Sequence, residues 1–310
     1  MSAPAATEAI PATGYLSPLW HEYRRKTVSA SEVAAVLGIS PYTSPFDLWW
    51  AKRLGDVNPE TPAMRRGKRL EPLILEDFQE EHPEFYLDRA GLYVNAERPW
   101  QACTPDALAY ETAGWAEGRD PVAVVEAKTA GSRDGWGTEG TDEIPAHYRA
   151  QVLWQMDTLG LSVAYVPVWI GFAYREYVVT YDASDVALMR HHAREFLDSL
   201  EAGDPPSIDS HPATGRRLKQ LHPSVIDGEV EVMRAWVNAY HRAKRGRDAG
   251  QRLMDMAEHN IRQAMGDHRY AVVDGQKVAT RSVTDVPERT QTVKAHTRNT
   301  IRFAKWEDPA

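Results

Sequence analysis

The chain has 310 residues, 43% hydrophobic and 26% charged, with a formal net charge of −8. This is the composition of an ordinary soluble globular protein and excludes a mostly disordered, collagen-like or membrane-embedded chain. Its longest apolar-rich run, residues 163–174, is interrupted by Pro167 and Gly171 and falls short of the ~20 residues a bilayer crossing requires.

Residues 1–14 are rich in Ala, Pro and Thr and hold no Lys or Arg, unlike the basic start of a signal peptide. Residues 1–17 read as a flexible leader of a cytoplasmic protein, and the single cysteine, Cys103, fits a reducing compartment. Residues 31–37 are helical and stop at Gly38, residues 39–45 form a turn, and residues 46–54 make a second helix closed by Gly55. A third helix over residues 64–80 sets Leu70, Leu73, Ile74 and Phe78 at helical spacing, and Pro72 predicts a kink in it. Strands are expected at 86–94, 101–110 and 122–129, with a hairpin-like loop over 111–120. Residues 131–144, with four glycines, read as a mobile loop. Residues 145–159 are helical, 163–170 and 175–181 form an antiparallel pair, and a helix over 184–202 closes the body. Helices, then sheet, helix and strands make an α/β sandwich of one domain.

Asp204-Pro205-Pro206 marks a boundary, giving a core over 18–204 and an extension over 205–310. In the extension, residues 230–265 read as one long amphipathic helix weakened by Gly246 and Gly250, followed by a β-hairpin around Asp274-Gly275. Charge is split along the same line. Residues 1–204 hold 18 Lys and Arg against 31 Asp and Glu, and residues 205–310 hold 18 against 13. An acidic body suits carboxylates that hold a metal, and a basic tail suits a polyanion; two solvated surfaces would give the same split.

Asp106 lies near the end of one expected strand and Glu126-Ala127-Lys128 at the end of the next. Alternation along a strand puts Val122, Val124, Glu126 and Lys128 on one face, so an apolar face turns abruptly charged. Burying those charges is costly without partners. If Asp106 comes alongside Glu126, two carboxylates and an ammonium form a hard oxygen site suited to Mg²⁺ or Mn²⁺. A structural salt bridge is the competing reading of the same spacing. Glu71 stands one helical turn after Gly67, and Tyr148 and Gln151 stand one turn apart on the later helix, able to face one cleft. Trp49, Trp50 and Trp154 are expected in the core. Trp136, between Gly135 and Gly137, is the candidate wedge or substrate contact.

These residues, with Trp20, Arg24, Ser31-Glu32 and the turn Leu37-Gly38-Ile39-Ser40-Pro41-Tyr42, give a sequence that resembles the lambda exonuclease and YqaJ-type viral recombinase family of the PD-(D/E)xK nuclease superfamily. Gly67 and Glu71, Thr104-Pro105-Asp106, Glu126 with Lys128, and Gln151 follow in the family's order. The resemblance implies an α/β fold with a central mixed β-sheet flanked by helices, a restriction-endonuclease-like nuclease core, followed here by the long helix and hairpin. It implies that Asp106, Glu126 and Glu71 hold Mg²⁺ or Mn²⁺ and that Lys128 orients the attacking water. Tyr148 and Gln151 complete the catalytic set, and Arg24, Ser31, Thr104 and Arg133 grip the 5′-phosphate of a DNA end. The expected activity is 5′ to 3′ digestion of linear duplex DNA by two-metal phosphodiester hydrolysis, leaving 3′ single strands for phage-type recombination in a bacterial host. A single-strand annealing protein and a homo-oligomeric ring are the expected partners, with no membrane. Two alternatives stand beside it: a RecB- or Cas4-like single-strand nuclease, disfavoured by the lone Cys103, and a catalytically silent DNA-end-binding accessory.

Overall fold

The structure, a computed structural model, describes residues 7–10, 25–55, 61–89, 91–112, 120–224, 227, 229–265, 267–274 and 276–281. Helix α1 (Ala30–Val36) starts where the backbone is extended at Ser29, whose N–H donates to Glu32 Oε2 at 3.0 Å. Glu32 also takes the buried Lys52 ammonium at 2.9 Å, which ties α1 to α2 (Pro45–Leu54). Helix α2 is capped by Ser44, opens on Pro45 and ends at Gly55 in the left-handed region (φ 71°), which favours glycine. Thr61 caps α3 (Pro62–Glu81), which runs through Pro72 and buries Ile74, Leu75 and Phe78 on one side.

Two sheets follow. One has the order β1 (Thr7–Ile10), β4 (Leu92–Asn95), β5 (Gln101–Cys103), β2 (Val28–Ser29). The other has the order β10 (Ala173–Thr180), β9 (Val163–Ile170), β7 (Ala123–Val125), β6 (Ala107–Glu111), β3 (Phe85–Arg89), and β8 (Lys128–Ala130) also pairs with β9. It is mixed: β7 and β8 run parallel to β9, while β3, β6 and β10 join by antiparallel pairs.

Both faces of this sheet are covered, which is why its central strands are apolar on both sides. Ala107, Ala109, Ala123 and Val125 pack with Leu75 and Phe78 of α3. Leu108, Val124, Val166 and Val168 face the larger core built on α1, α4 (Ala146–Leu159) and α5 (Ala183–Ala202), centred on Trp154 and Tyr177. The result is an α/β fold with a central mixed sheet flanked by helices.

Each of the three strands expected between 86 and 129 is broken in two. The first two divide between the sheets, β3 from β4 and β5 from β6, and the third breaks between β7 and β8. The second break falls at Pro105-Asp106, where proline offers no ladder donor. The expected leader carries β1, which pairs antiparallel with β4. The loop over 131–144 is tied down rather than loose: Gly140 N–H donates to Glu176 O at 2.9 Å, Val178 N–H to Thr141 O at 3.1 Å and Gly137 N–H to Glu143 O at 2.7 Å. The loop over 111–120 falls largely on residues outside the described ones.

The chain divides into two compact units, Met1–Leu221 and His222–Ala310. The first continues past the boundary expected at Asp204 to include α6 (Pro212–Leu221). In the second, α7 (Arg234–Met265) is followed by the hairpin β11 (Tyr270–Val273) and β12 (Gln276–Thr280), which turns at Asp274 with φ 51°. Trp236, Met254 and Ile261 of α7 are exposed. Among the described residues no helix is long and apolar enough to cross a membrane.

Candidate active site

The antiparallel register of β6 and β7 pairs Ala107 with Val125. Asp106, just before Ala107, is thereby set beside Glu126, just after Val125. Asp106 Oδ2 accepts the Ala127 N–H at 2.9 Å, in the two-residue interruption that separates β7 from β8. Lys128 opens β8, opposite Val168 of β9, and its Nζ donates to Glu126 Oε1 at 2.5 Å. Helix α4 supplies two amides one turn apart: Gln151 Nε2 donates to Glu126 Oε1 at 2.5 Å and Gln155 Nε2 to Oε2 at 2.8 Å. The Glu126 carboxylate, only 3% exposed, is thus satisfied by three donors. Tyr148 stands one turn before Gln151, its ring centroid 5.0 Å from Lys128 Nζ.

Asp106, Glu126, Lys128 and Tyr148 open on a cleft of about 730 Å³ that also takes in Gly67 and Glu71 of α3. Burial, followed by the Glu126 charge, holds the Asp106 carboxyl well above its ordinary range, against the pull of Lys128. Burial likewise raises Glu71 against the opposing charge of Arg89. Burial works to lower Lys128, but Glu126 and Asp106 prevail and raise it, so it is an ammonium. The Tyr148 phenol is pushed up to about 12, first by burial, and stays a neutral hydroxyl. Burial and Lys128 lower His147.

The chemistry of the donor set fits a hard divalent cation: carboxylates from Glu71, Asp106 and Glu126 face one cleft, and Glu71 and Asp106 are raised first by burial and further by the neighbouring Glu126 charge, both of which a dication would offset. Among the described residues no three His, Cys, Asp or Glu side chains are already gathered into a ligand cluster. Glu126 Oε1 accepts from both Lys128 and Gln151, so a cation at that oxygen would share it with two donors.

Residues 19–162 match the model of the YqaJ-like viral recombinase domain. The match contains every motif from Trp20 to Gln151 that carries the resemblance. The YqaJ protein of Bacillus subtilis (strain 168) is 24% identical over 213 residues, 66% of this chain. The chain spans 62% of that relative's length. Among solved structures, the alkaline exonuclease LHK-Exo from Laribacter hongkongensis overlaps 67% of this chain and 100% of its own, at 19% identity and a TM-score of 0.47. Its complex with dAMP gives 18% identity and 0.48 over the same shares. A phage-related exonuclease from Haemophilus somnus 129PT gives 9% identity and 0.40, over 63% of this chain and 96% of its own.

The residues expected to grip a 5′-phosphate also lie within the YqaJ-like match. Arg24 lies outside the described residues. The parallel pairing of Ser29 with Ala102 sets Ser31 and Thr104 at the same end of their sheet, both exposed. Arg133 is exposed and donates to the Gly137 carbonyl at 3.2 Å. Ser31, Thr104 and Arg133 lie outside the lining of the carboxylate cleft. Trp136 is no wedge: it is buried against Tyr148 and Tyr177, with ring centroids 5.7 and 5.1 Å away. Trp49 and Trp154 are core residues as expected, and Trp50 packs against the same core.

Two contributions escaped the sequence reading. Gln155 is a buried amide in the run Val152-Leu153-Trp154-Gln155-Met156, one turn from Gln151; that polar residue in an apolar stretch was the available signal. The cleft is also lined by Arg216, Arg217 and Gln220 of α6, beyond the YqaJ-like match and beyond the expected core boundary.

Proposed function

We propose that this protein is a divalent-metal-dependent DNA exonuclease of the phage recombination type, digesting linear duplex DNA from 5′ ends and leaving 3′ single strands. The observation that carries the reading is the meeting of Asp106, Glu126 and Lys128 at the ends of β6, β7 and β8, with Glu71 facing the same cleft. Phosphodiester hydrolysis needs a nucleophile generated near neutral pH and compensation of charge on the leaving oxygen, and Mg²⁺ or Mn²⁺ supplies both when bound.

In this reading Asp106, Glu126 and Glu71 hold the metal. Asp106 keeps Oδ2 on the Ala127 amide, which fixes its plane. Lys128, anchored on Glu126, presents its remaining protons to the attacking water and aims it at phosphorus. Tyr148 covers the ammonium with its ring face and offers a neutral hydroxyl, and Gln151 holds Glu126 in register. Arg24, Ser31, Thr104 and Arg133 would anchor the 5′-phosphate. Polarity and the preference for duplex ends rest on family resemblance. A single-strand annealing protein and a ring of copies are the partners this function calls for.

A single-strand nuclease built on an iron–sulfur cluster finds no support in Cys103, which is fully buried with a thiol pushed up by desolvation. A silent end-binding module draws on the three donors that already cap Glu126. Digestion of a duplex labelled at one defined end, in linear and circular form, tests the proposal. Stepwise loss from the 5′ end of the linear form alone supports it, and nicking of the circle or loss from the 3′ end contradicts it.

A further inference from the structure

Helix α6 lies outside the YqaJ-like match, yet it is fastened to α2 by an unusually polar joint. Arg217 Nε donates to Asp47 Oδ1 at 2.8 Å, Ser44 and Thr214 hydroxyls meet at 2.7 Å, and Thr214 Oγ1 donates to Asp209 Oδ1 at 2.5 Å. Ser44, Asp47, Thr214 and Arg217 are all buried. A buried ion pair and hydroxyl pair stabilise little relative to apolar packing, but they demand one geometry and so fix the register of the helix. The register they fix sends Arg217 inward and leaves Arg216 and Gln220, one turn apart, exposed on the cleft.

The cleft poses an electrostatic problem that this wall answers. A polyanion must approach Glu71, Asp106 and Glu126, and two of the cations lining the cleft are already committed, Lys128 to Glu126 and Arg217 to Asp47. Arg216 is different. Its Nη2 reaches only the neutral Tyr42 carbonyl, at 3.3 Å, and it has no carboxylate partner among the described residues. An exposed guanidinium held beside an acidic cleft by a rigid joint presents a planar fork that matches a phosphate. We infer that α6 is a DNA-binding wall of the cleft in which Arg216, assisted by Gln220, takes a backbone phosphate of the bound strand. The inference rests on the nuclease reading above and adds to it a residue beyond the matched domain.

The test is equilibrium binding of a labelled linear duplex to the full chain in EDTA across a KCl series, for wild type, Arg216→Ala and Arg216→Lys, followed by steady-state digestion in Mg²⁺. Arg216→Ala should weaken binding about 10-fold and reduce the slope of log K against log salt by about one, with a larger change in KM than in kcat. Arg216→Lys should recover the slope and part of the affinity. Because the side chain is exposed, thermal unfolding of both variants should match wild type. Wild-type binding with unchanged affinity and slope in Arg216→Ala overturns the inference and leaves the nuclease reading standing. A wild-type chain that neither binds nor cuts DNA overturns both.

Discussion

Lys128 and Glu126 are joined by a 2.5 Å hydrogen bond that spans the break between β7 and β8, and both strands lie along β9. The break turns what reads as one strand into two short ones, yet the two side chains stay together because β9 provides a common template. A pair this buried carries two costs of desolvation, which its own attraction and the amides of Gln151 and Gln155 offset.

Lys128→Ala separates chemistry from binding. Cleavage should fall by about 10²- to 10⁴-fold, the range for losing a positioned proton-handling group, while affinity for linear DNA changes little. Equal loss of cleavage and binding, accompanied by a lowered Tm, would mark the pair as a structural salt bridge instead.

Gln155→Leu removes the donor on Glu126 Oε2 without touching the cleft surface. A buried carboxylate oxygen left without its partner should cost about 1–3 kcal/mol in urea unfolding. Activity should drop about 10- to 100-fold through misplacement of Glu126. Full activity in a folded Gln155→Leu protein would show that Gln151 and Lys128 suffice.

Asp106 gives a pH signature. Burial and the Glu126 charge favour its protonated form, so its contribution to stability is fully present below the ordinary value of 3.8 and is lost as pH rises through the raised one. In EDTA, the Tm of wild type should decline across that window, and Asp106→Asn, which keeps a neutral group in place, should lack this decline and be inactive. A parallel Tm profile for the two proteins would mean that Asp106 is not destabilised by ionisation.

Asp157 behaves in the opposite sense. Burial works to raise its carboxyl, but hydrogen bonds from Arg190, Gln101 and Tyr181 prevail and hold it below 3.8. The stability it confers is present above 3.8 and disappears as pH falls through the lower folded value. Asp157→Asn should cost about 2–3 kcal/mol at pH 7, the low end for a buried pair because Arg190 is partly exposed, and should flatten the acid limb of the stability curve. Urea unfolding at pH 7 and through a series of pH values below 3.8 measures both effects; an unchanged acid limb would contradict the assignment.

The helices were legible because their ends carry local chemistry: Gly38 and Gly55 both adopt positive φ, and Ser44 and Thr61 cap the next helices. The carboxylates were legible because charge at the end of an apolar strand requires a partner, and Asp106, Glu126 and Lys128 do meet. What escaped was non-local. Nothing near residue 105 announces that β5 and β6 join different sheets, since that is decided by which partners lie alongside. The burial of Trp136 depends on Tyr148 and Tyr177, which no local pattern around its flanking glycines reveals. The α6 wall was hidden for the same reason: Pro205-Pro206 reads as a boundary, while the contacts of Arg217 with Asp47 and Thr214 with Ser44 carry the first unit on to Leu221.

In the proposed function the acidic cleft hydrolyses DNA with a bound divalent cation. The most direct measurement is release of acid-soluble nucleotide from linear duplex DNA by the full chain in Mg²⁺ and in EDTA, with Asp106→Asn alongside. Progressive release in Mg²⁺, none in EDTA and none from the variant is the predicted result. Intact DNA in Mg²⁺ under conditions where the protein binds its ends, or equal release in EDTA, would contradict the account.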